Sequence, residues 1–293
     1  MKRIELLLIA TTIAVLVYGC GDDSGTSPGT SELTLEFSDL PALGGGFVYE
    51  GWLITPDAVS TGRFTVDEDG VPSESRFAVD TSTATAASAF VLTIEPGTGD
   101  VPAPSDTHVV AGGLADNAAV LSIAHAAALG NDFTSAAGEY ILAAPTGGED
   151  APFQYGIWWL IPGDTPTAGL SLPALPAGWE YEGWVATTEG PVSTGRFIDV
   201  AAPDSDGAGP DAGPDTDAAP PFPGQDFVDP PPRDLTAGYT AVISVEPEPD
   251  DGPAPFILKP LVHEIGSIMP LDTQTMNNNA AATSPSGTAT VTP

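Results

Sequence analysis

The chain has 293 residues, 42% of them hydrophobic, which is enough for two packed units and excludes a wholly disordered protein. Its formal net charge is -33, from 40 acidic against 7 basic residues, so its surface repels phosphate and nucleic acid is excluded as a partner. The single cysteine excludes a disulfide within the chain, and 33 Gly with 31 Pro suit short strands and turns better than long helices.

Met1-Lys2-Arg3 gives a positive start, residues 4–17 are mostly apolar, and Val17-Tyr18-Gly19-Cys20 follows. This is the layout of a secretory signal, too short and wrongly flanked for a membrane span. Its end resembles a bacterial lipobox, although Tyr18 is bulkier than that pattern usually carries. The resemblance implies removal of residues 1–19 and lipidation of Cys20. The expected location is therefore outside the cytoplasm, with the membrane as partner through an N-terminal lipid. Residues 20–30 read as a flexible tether of small polar residues.

Residues 31–37 alternate strictly, with Leu33, Leu35 and Phe37 on one face, and predict a half-buried strand. Strands follow at 47–55, 59–66, 76–80, 89–95 and 108–111, and Gly51 inside the second predicts a bulge or a close backbone approach. Asp116-Asn117 before the alanine-rich run 118–129, with Gly130 after it, predicts a short helix. Residues 140–144 and 156–161 predict a hairpin around turn-rich PTGGEDAPFQY.

LPALGGGFVYEGWLITPDAVSTGRF, residues 40–64, then returns as LPALPAGWEYEGWVATTEGPVSTGRF, residues 172–197. Self-similarity of this length marks two copies of one folded unit. Strands are expected in the second copy at 179–187, 192–200, 239–246 and 258–265. The organisation expected is all-β: two tandem antiparallel β-sandwich (Ig-like) domains at 31–130 and 166–271, with separate cores and a linking hairpin at 131–165. The Pro-, Gly- and Asp-rich stretch 201–234 reads as a loop insert unable to pack a core, and the tail 272–293 as disordered.

The ordered motifs carry a family resemblance. Tyr49 to Trp52, Val59 to Phe64, Asp67 to Gly70 and Leu92-Thr93-Ile94-Glu95-Pro96 are followed by Pro102-Ala103-Pro104. Tyr181 to Trp184, Val192 to Phe197 and Ile243-Ser244-Val245-Glu246-Pro247 are followed by Pro253-Ala254-Pro255. Both series resemble the extracytoplasmic C-terminal domain of anti-sigma-K factors, over about two thirds of the chain beyond the signal. Regulatory members of that family carry a cytoplasmic sigma-binding domain and a membrane span before the module, and this sequence shows neither. The resemblance therefore implies a sensing or partner-binding module without direct sigma-factor contact. The expected function is a non-enzymatic, lipid-anchored binding or sensing protein with a protein partner in the envelope. The rival is a structural envelope lipoprotein without a specific ligand.

Arg63 and Arg196 occupy matching positions, as do Glu50 and Glu182, and Glu95 and Glu246. These six read as internal ion pairs that fix strand packing, or alternatively as an anion site. Trp158 and Trp159, adjacent in a strand, must point to opposite faces, which makes them candidates for domain packing or for a binding surface. Asp204-Ser205-Asp206-Gly207 resembles the opening of a calcium loop, but no bidentate Glu follows at the EF-type distance. Asp204 and Asp206 are thus weak calcium candidates in a solvated insert. His108, His125 and His263 stand at non-equivalent positions, and no HExxH or Gly-x-Ser-x-Gly pattern occurs. No catalytic residue, metal centre or cofactor is expected.

Overall fold

The computed structural model describes residues 29–99, 101–250 and 252–292, so Cys20 and the expected signal lie outside them. The fold is all-β, and every strand pairing between named strands is antiparallel. The first repeat supplies β1 (Thr30–Ser38), β2 (Phe47–Ile54), β3 (Ala58–Phe64), β4 (Arg76–Asp80), β5 (Ala89–Pro96), β6 (His108–Gly113) and β7 (Ala118–Ser122). The join supplies β8 (Ala137–Leu142), β9 (Gly156–Trp158), β10 (Leu160–Ile161), β11 (Thr167–Ala168) and β12 (Leu170–Ser171). The second repeat supplies β13 (Trp179–Thr187), β14 (Gly190–Phe197), β15 (Gly224–Asp226), β16 (Thr240–Pro247) and β17 (Leu261–Glu264). The tail adds β18 (Gln274–Thr275), β19 (Asn277–Asn278) and β20 (Ser286–Thr292).

What is duplicated is a four-stranded unit. It runs β3-β2-β5-β6 in one sheet and β14-β13-β16-β17 in another. The same chemistry shapes both. Tyr49 stacks on Phe64 at 5.6 Å and Tyr181 on Phe197 at 5.8 Å. Each tyrosine donates its hydroxyl to the segment that precedes its strand, Tyr49 to Pro41 O at 2.9 Å and Tyr181 to Pro173 O at 2.7 Å. The register slips by one residue between Gly51 and Trp52, and again between Glu182 and Trp184. The close approach expected at Gly51 is present: a Cβ there would lie 2.5 Å from Thr61 Oγ1, and Gly183 faces Thr194 in the same way.

Beyond that unit the copies diverge. The first sheet continues to eight strands, β3-β2-β5-β6-β7-β20-β1-β4. Its two ends curl together, because Phe64 of β3 stacks on Phe37 of β1 at 5.7 Å and meets Phe77 of β4 at 6.0 Å. The second four-stranded unit ends in β19 and is accompanied by a separate sheet, β12-β8-β9-β15, with β18 on β8.

Four sequence expectations are corrected. The alanine-rich run is not a helix over 118–129. Asp116 and Asn117 both adopt positive φ (51° and 63°), and Ala115 and Ala118 exchange both backbone hydrogen bonds, at 2.8 and 3.0 Å. That two-residue hairpin turn sends the run back as β7, with Ala119 and Leu121 inward. The tail is not disordered. β20 returns from beyond the second repeat and lies between β1 and β7 of the first, in register from Glu32↔Thr292 to Ser38↔Ser286. The insert does pack: Phe222 and Phe227 are buried, and β15 joins β9. The repeats do not have separate cores. One contiguous apolar cluster holds Leu33, Phe90 and Leu121 together with Tyr181, Ile243 and Leu261, and Phe133 meets Tyr181 edge-on at 6.5 Å.

Candidate functional site

Each copy carries the same polar clasp on its bulged hairpin. Glu50 and Arg63 face each other in the β2–β3 register, and Glu182 and Arg196 in the β13–β14 register. Arg63 Nε reaches Glu50 Oε2 at 2.6 Å, and Arg196 Nε reaches Glu182 Oε2 at 3.1 Å. The other carboxylate oxygen accepts a serine hydroxyl, Ser60 for Glu50 and Ser193 for Glu182. The internal ion pairs are thus present for these four residues. Burial pushes Glu182 above the usual carboxylate range, against the pull of Ser193 and Arg196.

Glu95 and Glu246 do something different from the pairing considered for them: neither forms a salt bridge with an Arg among the described residues. Each accepts the backbone N–H of the returning loop, Ser105 N at 2.8 Å for Glu95 and Phe256 N at 2.9 Å for Glu246. A tryptophan stands behind each: Trp52 Nε1 donates to Thr93 Oγ1 at 2.8 Å and Trp184 Nε1 to Ser244 Oγ at 2.7 Å. Thr93 in turn donates to Glu95. The sequence reading missed these hydroxyls, although Ser60 and Ser193, and Thr93 and Ser244, hold matching places in the two copies.

Burial raises the Glu246 carboxyl from its ordinary 4.5 to about 7, against the hydrogen bonds from Ser244 and Phe256 N. Between those two pH values the folded chain keeps a proton that the unfolded chain has lost. Stability from this group is therefore full below about 4.5 and is lost as pH rises through about 7. The swing is on the order of 3 kcal/mol. Urea unfolding at about pH 5 and about pH 8 should show the chain more stable in acid, and Glu246→Gln should flatten that dependence. An unchanged pH slope in the variant would remove Glu246 as its source.

The two clasps differ in cover. In the second copy the insert lies along the edge strand β14: Ser205 N donates to Arg196 O at 2.8 Å and Arg196 N to Ser205 Oγ at 3.1 Å. Arg196 also reaches Glu248 at 2.9 Å and Asp250 at 2.6 Å, and its side chain is 18% exposed. Arg63 is 36% exposed, and Val59 and Ser60 are exposed where Val192 and Ser193 are half-buried. Beside the first clasp a cleft of about 510 Å³ opens between Trp52, Val59, Ser60, Arg63, Val101 and Pro102.

The remaining candidates are placed as follows. Trp158 and Trp159 point to opposite faces and both are fully buried, so neither forms a binding surface. Trp159 packs edge-on against Tyr140 at 5.6 Å in the main core. Trp158 packs with Ile141 and with Ala208 and Phe222 of the insert, and its Nε1 donates to Asp226 Oδ1 at 2.9 Å. Asp226, unremarked in the sequence, is fully buried and also accepts Thr146 N at 2.8 Å and Thr146 Oγ1 at 2.6 Å. Burial raises its pKa and those hydrogen bonds oppose the rise. Asp204 accepts Gly224 N at 2.8 Å, and burial with the neighbouring Asp206 pushes its carboxyl up to about 7. His108 bonds Ala127 O at 2.7 Å, His125 accepts Ala127 N at 3.2 Å and His263 bonds the Tyr140 hydroxyl at 2.8 Å. Among the described residues no group of three or more His, Cys, Asp or Glu side chains is placed to hold a metal ion.

Against this geometry, comparison with protein-family models, with curated proteins and with solved structures finds no match to the chain.

Proposed function

We propose that this is a non-enzymatic, lipid-anchored protein of the cell envelope that binds a protein partner through its first repeat. The observation that carries the reading is the unequal cover of a duplicated site. The insert lies over the second edge strand, and the matching strand of the first copy leaves Val59 and Ser60 exposed beside the cleft at Trp52 and Arg63. An apolar cleft rimmed by a charged pair on an edge strand suits a peptide segment better than a small reacting molecule. The motif order shared with the C-terminal domain of anti-sigma-K factors supports a sensing role, auxiliary to a sigma-factor system and without contact to the sigma factor itself.

The test is photo-crosslinking in intact envelopes from a probe at Val59, with Val192 as the covered control. A saturable protein adduct from position 59 that Val101→Arg, on the same cleft, abolishes with unchanged thermal stability is the expected result. No adduct, or one that Val101→Arg leaves intact, would favour a structural lipoprotein without a specific ligand.

Anchoring is tested separately. Among the described residues no helix is long and apolar enough to cross a membrane. Cys20→Ala is expected to release the protein from the membrane fraction, or to mislocalise it, because a lipid on Cys20 would supply the attachment. Full membrane partitioning of that variant would show that the anchor is elsewhere.

A further inference from the structure

The insert contains a second polar centre, independent of the clasps. Asp204 and Asp206 bring their carboxylates together over Gly195, where a Cβ would overlap both. Among the described residues neither has a Lys or Arg partner. The guanidinium of nearby Arg196 is turned to Glu182, Glu248 and Asp250 instead. The same loop wraps β15 at both ends, with Gly224 N on Asp204 Oδ2 at 2.8 Å and Asp226 N on Ala208 O at 3.1 Å. Between those two bonds lies Gln225. It is 1% exposed, and neither its amide oxygen nor its nitrogen has a hydrogen-bond partner. Its side chain is aimed into the loop, so close to Gly209 that a Cβ there would overlap the amide oxygen.

Two converging carboxylates without a counter-charge are held apart from stability by their mutual repulsion, and a buried amide with no partner is rare in folded proteins. A cation that takes oxygen from each carboxylate and from the amide would answer both the repulsion and the amide oxygen's want of a partner. We propose that the loop 204–209, with Gln225 inside it, binds a calcium ion. All the side-chain donors are oxygens, which selects a hard cation over zinc. Calcium completes its six to eight ligands with carbonyls and water, whereas magnesium demands a stricter octahedron than this loop's few side chains define. With only two carboxylates the affinity belongs to the range of extracellular modules, on the order of 10⁻⁴ to 10⁻³ M.

The experiment is calorimetric titration of the full chain with calcium chloride, with magnesium chloride as the control for simple charge screening. Thermal melts in calcium and in chelator run alongside. Saturable calcium binding and a rise in Tm absent with magnesium are expected. Asp206→Asn should weaken binding about tenfold or more, and Gln225→Met, which removes the oxygen and keeps the length, should weaken it several-fold. Asp217→Asn, an exposed acid of the same insert, should bind as the parent does. If Asp206→Asn does not fold, Gln225→Met decides alone, since it leaves every charge in place. The proposal is overturned if calcium gives no saturable heat, if magnesium acts equally, or if Gln225→Met binds unchanged.

Discussion

A chain truncated after Thr283 is expected to lose its cooperative thermal transition. The missing segment is β20, which lies inside the first repeat although it follows the second in sequence. β20 pairs with β1 from Glu32↔Thr292 to Ser38↔Ser286 and with β7 from Ser286↔Ser122 to Thr290↔Ala118. Without it, both neighbours become unpaired edges and their buried backbone groups lose their partners. Leu33, Leu35, Ala119 and Leu121 would be uncovered with them. Ala289→Asp is the finer version of the experiment. Ala289 is fully buried opposite Leu35 and Ala119, so an unpaired carboxylate there should cost about 4 kcal/mol or more. Calorimetry measures both. A truncated chain melting as sharply as the parent, within a few degrees, would show that β20 is dispensable.

The second large effect is expected at Arg196. Its side chain holds Glu182 at 3.1 Å, Glu248 at 2.9 Å and Asp250 at 2.6 Å. Arg196→Ala leaves Glu182 buried, unpaired and close to two like charges, a loss of roughly 3–5 kcal/mol. Arg63→Ala should cost less, because Arg63 is 36% exposed and water screens what the substitution leaves behind. Adding Glu182→Gln to Arg196→Ala should recover much of the loss by removing the uncompensated charge. The contiguous core adds a condition that separate domains would not: both arginine variants should lower one shared unfolding transition. Two transitions moving independently would show that the repeats unfold as separate units. Arg196→Ala with unchanged stability would mean the pair is not structural.

The duplicated unit was legible in the sequence because its information is local. Alternation of apolar residues states a strand whatever surrounds it, and β4 and β13 begin and end where the pattern does. The Glu50–Arg63 and Glu182–Arg196 pairs follow from the same cause. The turn sets the register of two joined strands and the bulge at Gly51, repeated at Gly183, shifts it by one residue, which brings Glu50 opposite Arg63 and Glu182 opposite Arg196. The resemblance added an expected role to these strands, but not the geometry of the clasps.

What the tertiary structure decided lies in segments whose local signal is neutral. Alanine fits helix and strand alike, so the run after Asn117 took its conformation from the turn before it and the β20 edge beside it. Ser286–Thr292 carries β-branched residues at alternate places, yet nothing in it names β1 as its partner. The Pro-, Gly- and Asp-rich insert has too few apolar residues to form a core of its own. It folds by lending Phe222 and Phe227 to a core that the rest of the chain builds and by setting Asp226 against Trp158 and Thr146. Whether Trp158 met solvent depended on that same cover, whereas Trp159 is buried against Tyr140 in the main core. Periodicity fixes which residues share a face, while the long-range packing of the whole chain decides whether another layer covers that face.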